Sequence, residues 1–177
     1  MQFSMNQFTF KGLQNYDSVQ EKIFRKLEAA FTYTDYDLQQ AVDEAVCNAA
    51  KYSIAGPTKA RITINVRRMP FDVAVTVYAE THPFDAQAYR DKLYALLKDK
   101  ETAEMDWGDY VGLQPISSGF WYMLTGCNYL YIDEDGQSIT LVAKTSGVCP
   151  DQPKTTKIKY LVPRFFVRRK ISGGVIT

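Results

Sequence analysis

Apolar residues recur along this chain with two periods, and the switches between them divide it into elements. The opening FSMNQFTFKG alternates and ends at Gly12, which predicts a strand. Asp17 and Ser18 follow as helix caps, with Gln20 and Glu21 three residues beyond each, the spacing of a capping box. Val19, Ile23, Leu27 and Ala30 carry that helix to about Phe31. A second cap region, TYTDYD, opens a longer helix. There Leu38, Ala41, Val42, Ala45, Val46 and Ala49 fall at i, +3, +4, +7, +8 and +11, a helix buried along one side. Gly56-Pro57 stops it.

The period then changes to two. Ile62, Ile64 and Val66 alternate with polar residues, as do Val73, Val75 and Val77, and the short MPFD link between the runs predicts an antiparallel hairpin. DAQAYRDKLYALLKDK predicts a helix with Tyr89, Leu93, Leu96 and Leu97 inward. From Glu101 to Ser118 the pattern dissolves, predicting a long irregular loop. A short helix, GFWYMLTGC, follows, and YLYIDEDGQSITLVAKT predicts a hairpin turning at Asp135-Gly136. The order is strand, helix, helix, strand, strand, helix, loop, helix, strand, strand. It predicts an α+β two-layer sandwich, a largely antiparallel mixed sheet with helices on one face.

At 177 residues, 46% hydrophobic and 23% charged with a net charge of +1, the chain has the composition of a soluble globular protein with one sizeable core. Charge is unevenly spread. From Pro150 onward seven Lys or Arg face one Asp, a balance of +6 that leaves −5 on residues 1–149. Cys47, Cys127 and Cys149 are odd in number and far apart, which argues against a disulfide framework or a zinc site and for a cytoplasmic setting. No segment approaches the ~18 apolar residues of a membrane span. The only histidine, His82, leaves little room for Ser/His, Cys/His or multi-histidine metal chemistry, and its place before Pro83 suits a surface turn.

Candidate chemistry centres on AVDEAVCNAAKYSIAG. Gln40, Glu44, Asn48 and Tyr52 form one stripe at i, i+4 spacing on the rim of the apolar face. Such a stripe suits a solvated helix edge. It also suits a metal site, because an Asn carbonyl and a carboxylate on adjacent turns can hold Mg²⁺ beside phosphates, and the Glu can orient or deprotonate a hydroxyl.

With the order of elements from about Phe8 to Lys144, DEAVCNAAKY resembles the GHKL (histidine-kinase-like) ATPase superfamily, most closely the bacterial anti-sigma-factor serine kinases. The resemblance implies a Bergerat-like ATPase fold over 1–149. Glu44 falls on the family's catalytic Glu, Asn48 on its Mg²⁺ ligand, and Tyr52 on a nucleotide-binding position often held by His. SSGFWYMLTGCNYLYIDEDGQSITLVAK resembles the closing helix and hairpin, with Ser117, Ser118 and Gly119 where the second glycine box binds phosphate.

The chain departs from the family at the adenine turn. If Phe84-Asp85 matches the Phe-Asp that follows it, the adenine Asp becomes Ala79 and the turn's two glycines become Thr81 and Pro83. In a shifted register Glu80 or Asp85 would be the substitute acceptor. Residues 101–118 contain no Lys or Arg for phosphate. Two functions follow from the resemblance: a regulatory protein that binds a sigma factor or a small antagonist domain with nucleotide binding weak or lost, or an ATP- and Mg²⁺-dependent serine kinase of such an antagonist. It also implies a homodimer.

Residues 150–177 extend beyond the family domain. KIKYLV and FFVRRKI, separated by Pro163, predict an added hairpin that covers a sheet edge. Arg164, Arg168, Arg169 and Lys170 beside Phe165 and Phe166 would suit an anionic partner. The segment's shortness and the near-neutral total charge argue against nucleic acid.

Overall fold

The computed structural model describes residues 4–31, 35–113, 118–145 and 156–169. Strand β1 (Ser4–Lys11) leads through a 3-10 turn into helix α1 (Asp17–Glu28) and helix α2 (Tyr36–Lys51). The hairpin β2 (Arg61–Arg68) and β3 (Asp72–Ala79) precedes α3 (Ala86–Leu96). Two short helices, α4 (Lys100–Glu104) and α5 (Trp107–Leu113), come before α6 (Ser118–Thr125). The hairpin β4 (Tyr129–Asp133) and β5 (Ser138–Lys144) leads to α7 (Ile158–Leu161) and β6 (Phe165–Arg168).

The six strands form one sheet in the order β1-β2-β3-β5-β4-β6, antiparallel except where β6 runs parallel to β4. Alternation assigns its faces. Phe10, Ile62, Ile64, Val75, Val77, Leu130 and Leu141 are buried beneath the helices. The other face carries paired hydroxyls, Thr9 with Thr63 at 3.2 Å and Thr76 with Thr140 at 2.9 Å. One apolar and one polar face is the arrangement of an antiparallel sheet covered on one side. The fold is therefore the α+β two-layer sandwich that the pattern predicts.

Helix α2 lies against the sheet because its inner face is small: Ala41, Val42, Ala45, Val46 and Ala50 are all fully buried. Asp35 caps it, accepting from the Leu38 N–H at 3.1 Å. Helix α6 approaches α2 closely where its C-terminal end meets Gly126. A Cβ built at Gly126 would sit 2.7 Å from the Ala41 Cβ and would collide with the Asp37 carbonyl oxygen.

Three local expectations need correction. The capping box at Asp17 and Ser18 does not form; Tyr16 occupies the cap position without a side-chain hydrogen bond, and the Ser18 hydroxyl donates to the Asn15 carbonyl at 2.7 Å. Of the irregular loop expected over Glu101 to Ser118, residues 101–113 form two short helices, α4 and α5, Ser118 begins α6, and residues 114–117 lie outside the described residues. Asp99 accepts from Thr102 N–H and Asp106 from Gly108 N–H, both at 2.8 Å, and fully buried Trp107 anchors the segment. Over its described residues, 156–169, the C-terminal extension is not the expected hairpin. Ile158, Leu161, Val162 and Phe165 follow i, i+3, i+4, i+7, a helical period, and all four are fully buried in the core shared with the sheet. Among the described residues of this segment only Phe165–Arg168 is a strand, and it covers the β4 edge in parallel pairing. Lys170 lies outside the described residues.

The contact at Gly126 gives a direct test. Gly126→Ala is expected to destabilise the fold by about 1–3 kcal/mol, the cost of overpacking a close contact. Urea unfolding would register it as a lower midpoint at unchanged slope.

Candidate functional site

Helices α2 and α6 touch at Gly126, beside the N-terminal half of α2. Toward the other end of α2 a cavity of about 480 Å³ opens between them and the sheet. Its sheet wall is one rung of side chains, because Val77 pairs with Ile139 and Ile139 with Ile132 across β3, β5 and β4. Ala49 comes from α2, Phe120 and Met123 from α6, and Tyr89 from α3. Tyr89 meets Phe120 edge to face at 5.0 Å between centroids, and Phe84 at 5.5 Å.

The mouth is shaped by the segment after β3. The Ile54 N–H donates to the Glu80 carbonyl at 3.1 Å and the His82 N–H to the Tyr52 carbonyl at 2.9 Å, which ties this segment to the end of α2. Phe84 then packs on Gly136 at the tip of the β4–β5 hairpin. Gly136 has φ 74°, and a Cβ there would lie 2.7 Å from the Phe84 Cβ, so both turn and packing call for glycine. Tyr52, His82 and Phe84 are exposed at the rim, and the Lys51 ammonium lies 5.1 Å from the Tyr52 ring centre.

Of the residues singled out by sequence, Asn48 and Tyr52 line this cavity. His82, which the sequence places in a surface turn, also lines it. Glu44 is half-buried one turn back on α2 and does not line it. Its field instead helps hold the Cys47 thiol above the ordinary range, after desolvation and together with Asp43. Glu80 is exposed and not among the lining residues, Gly119 is buried in the first turn of α6, and Ser118 begins that helix. Ser117 lies outside the described residues. Ala79 is fully buried, with its N–H donating to the Gln137 carbonyl at 3.1 Å.

Sequence reasoning missed Phe120, Met123, Ile132 and Ile139 as site residues. Their apolar periodicity marks them only as core, and six separate elements, α2, α3, α6, β3, β4 and β5, supply the walls.

No Lys, Arg, Asp or Glu occurs among the described lining residues, and among their side chains only the amides of Asn48 and Gln137 offer carbonyl oxygens suited to a hard cation. No group of three or more His, Cys, Asp or Glu that could hold a metal ion occurs among the described residues. A triphosphate seated on the apolar floor would lose hydration without gaining a cationic partner there, the nearby basic groups, His82 and Lys51, standing at the rim. The lining residues therefore do not fit Mg-ATP; they fit an apolar or aromatic group. No helix among the described residues is long and apolar enough to cross a membrane.

Tyr89 links the cavity to alkaline stability. Burial, and secondarily Tyr110, push its phenol up from 10.0 to about 12. With the folded value above the unfolded one, its contribution is complete below pH 10 and is lost as pH rises through 12. Tyr89→Phe is expected to make the fall in stability between these pH values shallower in urea titrations, leaving the neutral-pH slope unchanged.

No protein-family model matches this sequence, and no curated protein matches it.

Proposed function

We propose that this chain is an anti-sigma-factor-like regulatory protein on a histidine-kinase-like scaffold, acting by contact with a sigma factor or a small antagonist domain and without productive nucleotide chemistry. The observation that carries the loss of nucleotide chemistry is the uncharged lining of the cavity beside Asn48, with Glu44 outside it. The scaffold half of the reading is supported by an antiparallel β1-β2-β3-β5-β4 order with α2 packed beneath it, and by Asn48 facing the hollow between α2 and α6. The protein-contact half rests on the resemblance of DEAVCNAAKY and the element order to anti-sigma factors.

One observation favours the second function, an ATP- and Mg²⁺-dependent serine kinase. Asn48, the implied Mg²⁺ ligand, reaches the cavity, with Glu44 as the implied base one turn away. Cofactor dependence separates the two.

Thermal unfolding with millimolar Mg-ATP or Mg-ADP is expected to leave the midpoint unchanged. A ligand at about a hundred times its Kd adds about 2.7 kcal/mol, roughly 5–11 °C for a domain of this size. A rise of that order that disappears in Asn48→Ala would overturn the loss of nucleotide binding and revive the kinase. Calorimetric titration against sigma factors and small antagonist domains from the source cell is expected to give saturable heat with at least one. Silence across that set would sink the protein-contact half.

A further inference from the structure

The cavity beside Asn48 has a chemistry of its own that does not depend on any family resemblance. We infer that it is a binding site for an uncharged, ring-bearing organic molecule with one polar edge.

Its size is the first ground. About 480 Å³ falls within the range of pockets that hold small organic ligands. Its floor is the second. Ala49, Val77, Phe120, Met123 and Ile132 are each less than a tenth exposed, so a ligand seated on them exchanges water for close apolar contact. The rim is the third. Tyr52 is 48% exposed and Phe84 41%, large rings left partly open at the cavity's entrance. Aromatic faces at an entrance favour a flat ring that can stack or meet them edge-on.

Charge selection follows from the lining. With no Asp, Glu, Lys or Arg among the described lining residues, His82 exposed at the rim, and the Tyr89 phenol held protonated by burial, a charged group entering the floor would find no counter-charge there. Neutral ligands pay no such penalty.

Polar selection is local. The side-chain amide of Asn48 has no hydrogen-bond partner among the described residues and offers a donor and an acceptor at one edge of the cavity. Thr81, also in the wall, keeps a buried hydroxyl oxygen without a partner. Unpaired groups at a cavity wall are where a ligand's amide, hydroxyl or ring nitrogen would be held.

A matched pair of dyes provides the test. N-phenyl-1-naphthylamine is neutral, and 1-anilinonaphthalene-8-sulfonate is the same skeleton bearing a sulfonate. With the intact chain, the neutral dye is expected to show saturable one-to-one fluorescence enhancement, and the sulfonate to bind at least about tenfold more weakly. Ala49→Phe, which projects a ring into the cavity from α2, should abolish the neutral dye's binding with the thermal midpoint retained. Gln137→Trp plugs the cavity from the hairpin side and replaces the first variant if that one does not fold. Absence of saturation, equal affinity for the two dyes, or binding unaffected by the plugs would each overturn the inference. The titration contains neither nucleotide nor protein partner, so its outcome is separable from that of the sigma-factor reading.

Discussion

The close approach of α2 and α6 at Gly126 is the constraint on which the rest of this molecule depends. Because Gly126 has no side chain, the α6 end sits directly on the Asp37 carbonyl and the Ala41 methyl. The alanines along α2 let that helix lie low on the sheet, so helix, helix and sheet meet with little between them at this end. Toward the other end Phe120 and Met123 stand where Gly126 did, opposite Asn48 and Ala49. Ala49 is too small to fill the space they hold open, and the hollow is the difference. A cavity produced this way is apolar by construction, since the faces that border it are the same faces that build the core.

The same geometry explains why the Glu44–Asn48 pair divides. Residues four apart on a helix are related by about 40° of rotation and one turn of rise, so a stripe at that spacing drifts slowly around the axis. Asn48 and Tyr52 reach the open end of the gap between the helices. Glu44 is one turn nearer the closed end, where its neighbours include the Cys47 thiol rather than the cavity. An i, i+4 pair read from sequence therefore specifies a common face but not a common depth along the groove. In this molecule depth separates a lining residue from a bystander.

How much could be read in advance follows from which contacts are local. The strands and both hairpins were legible because alternation, the MPFD link and Asp135-Gly136 are local signals of local pairing. Asn48 and Tyr52 were legible as members of a stripe. Val77, Ile139 and Ile132 were visible as core, but not as a wall, because their rung exists only once β5 inserts between β3 and β4. Helix α7 was misjudged for a different reason. The period of Ile158, Leu161, Val162 and Phe165 runs across a four-residue helix, a 3-10 turn and the start of β6, and Pro163 reads as a break between strands, whereas it sits in the 3-10 turn that continues from the helix. Helices α4 and α5 lack an amphipathic pattern altogether. Their Asp caps and the burial of Trp107 hold them, and neither stands out in a segment rich in acidic and polar residues.

The C-terminal segment shows how far the core extends. Part of its charge is answered within the chain: Lys157 and Lys159 pair with Glu104, and Arg168 pairs with Asp133 and donates to the Thr140 hydroxyl. Its apolar residues do more. Phe165 meets Phe120 edge to face at 5.3 Å and Tyr89 at 6.4 Å, and its carbonyl accepts from the Arg90 guanidinium at 3.3 Å. Two of the aromatic walls of the cavity are thus buttressed from behind by a residue of the last strand. Helix α3 is drawn onto that strand by the residue next to Tyr89. A segment that looks appended in sequence is, by packing, the backing of the cavity's aromatic wall, because close-packed neighbours hold a ring in one orientation.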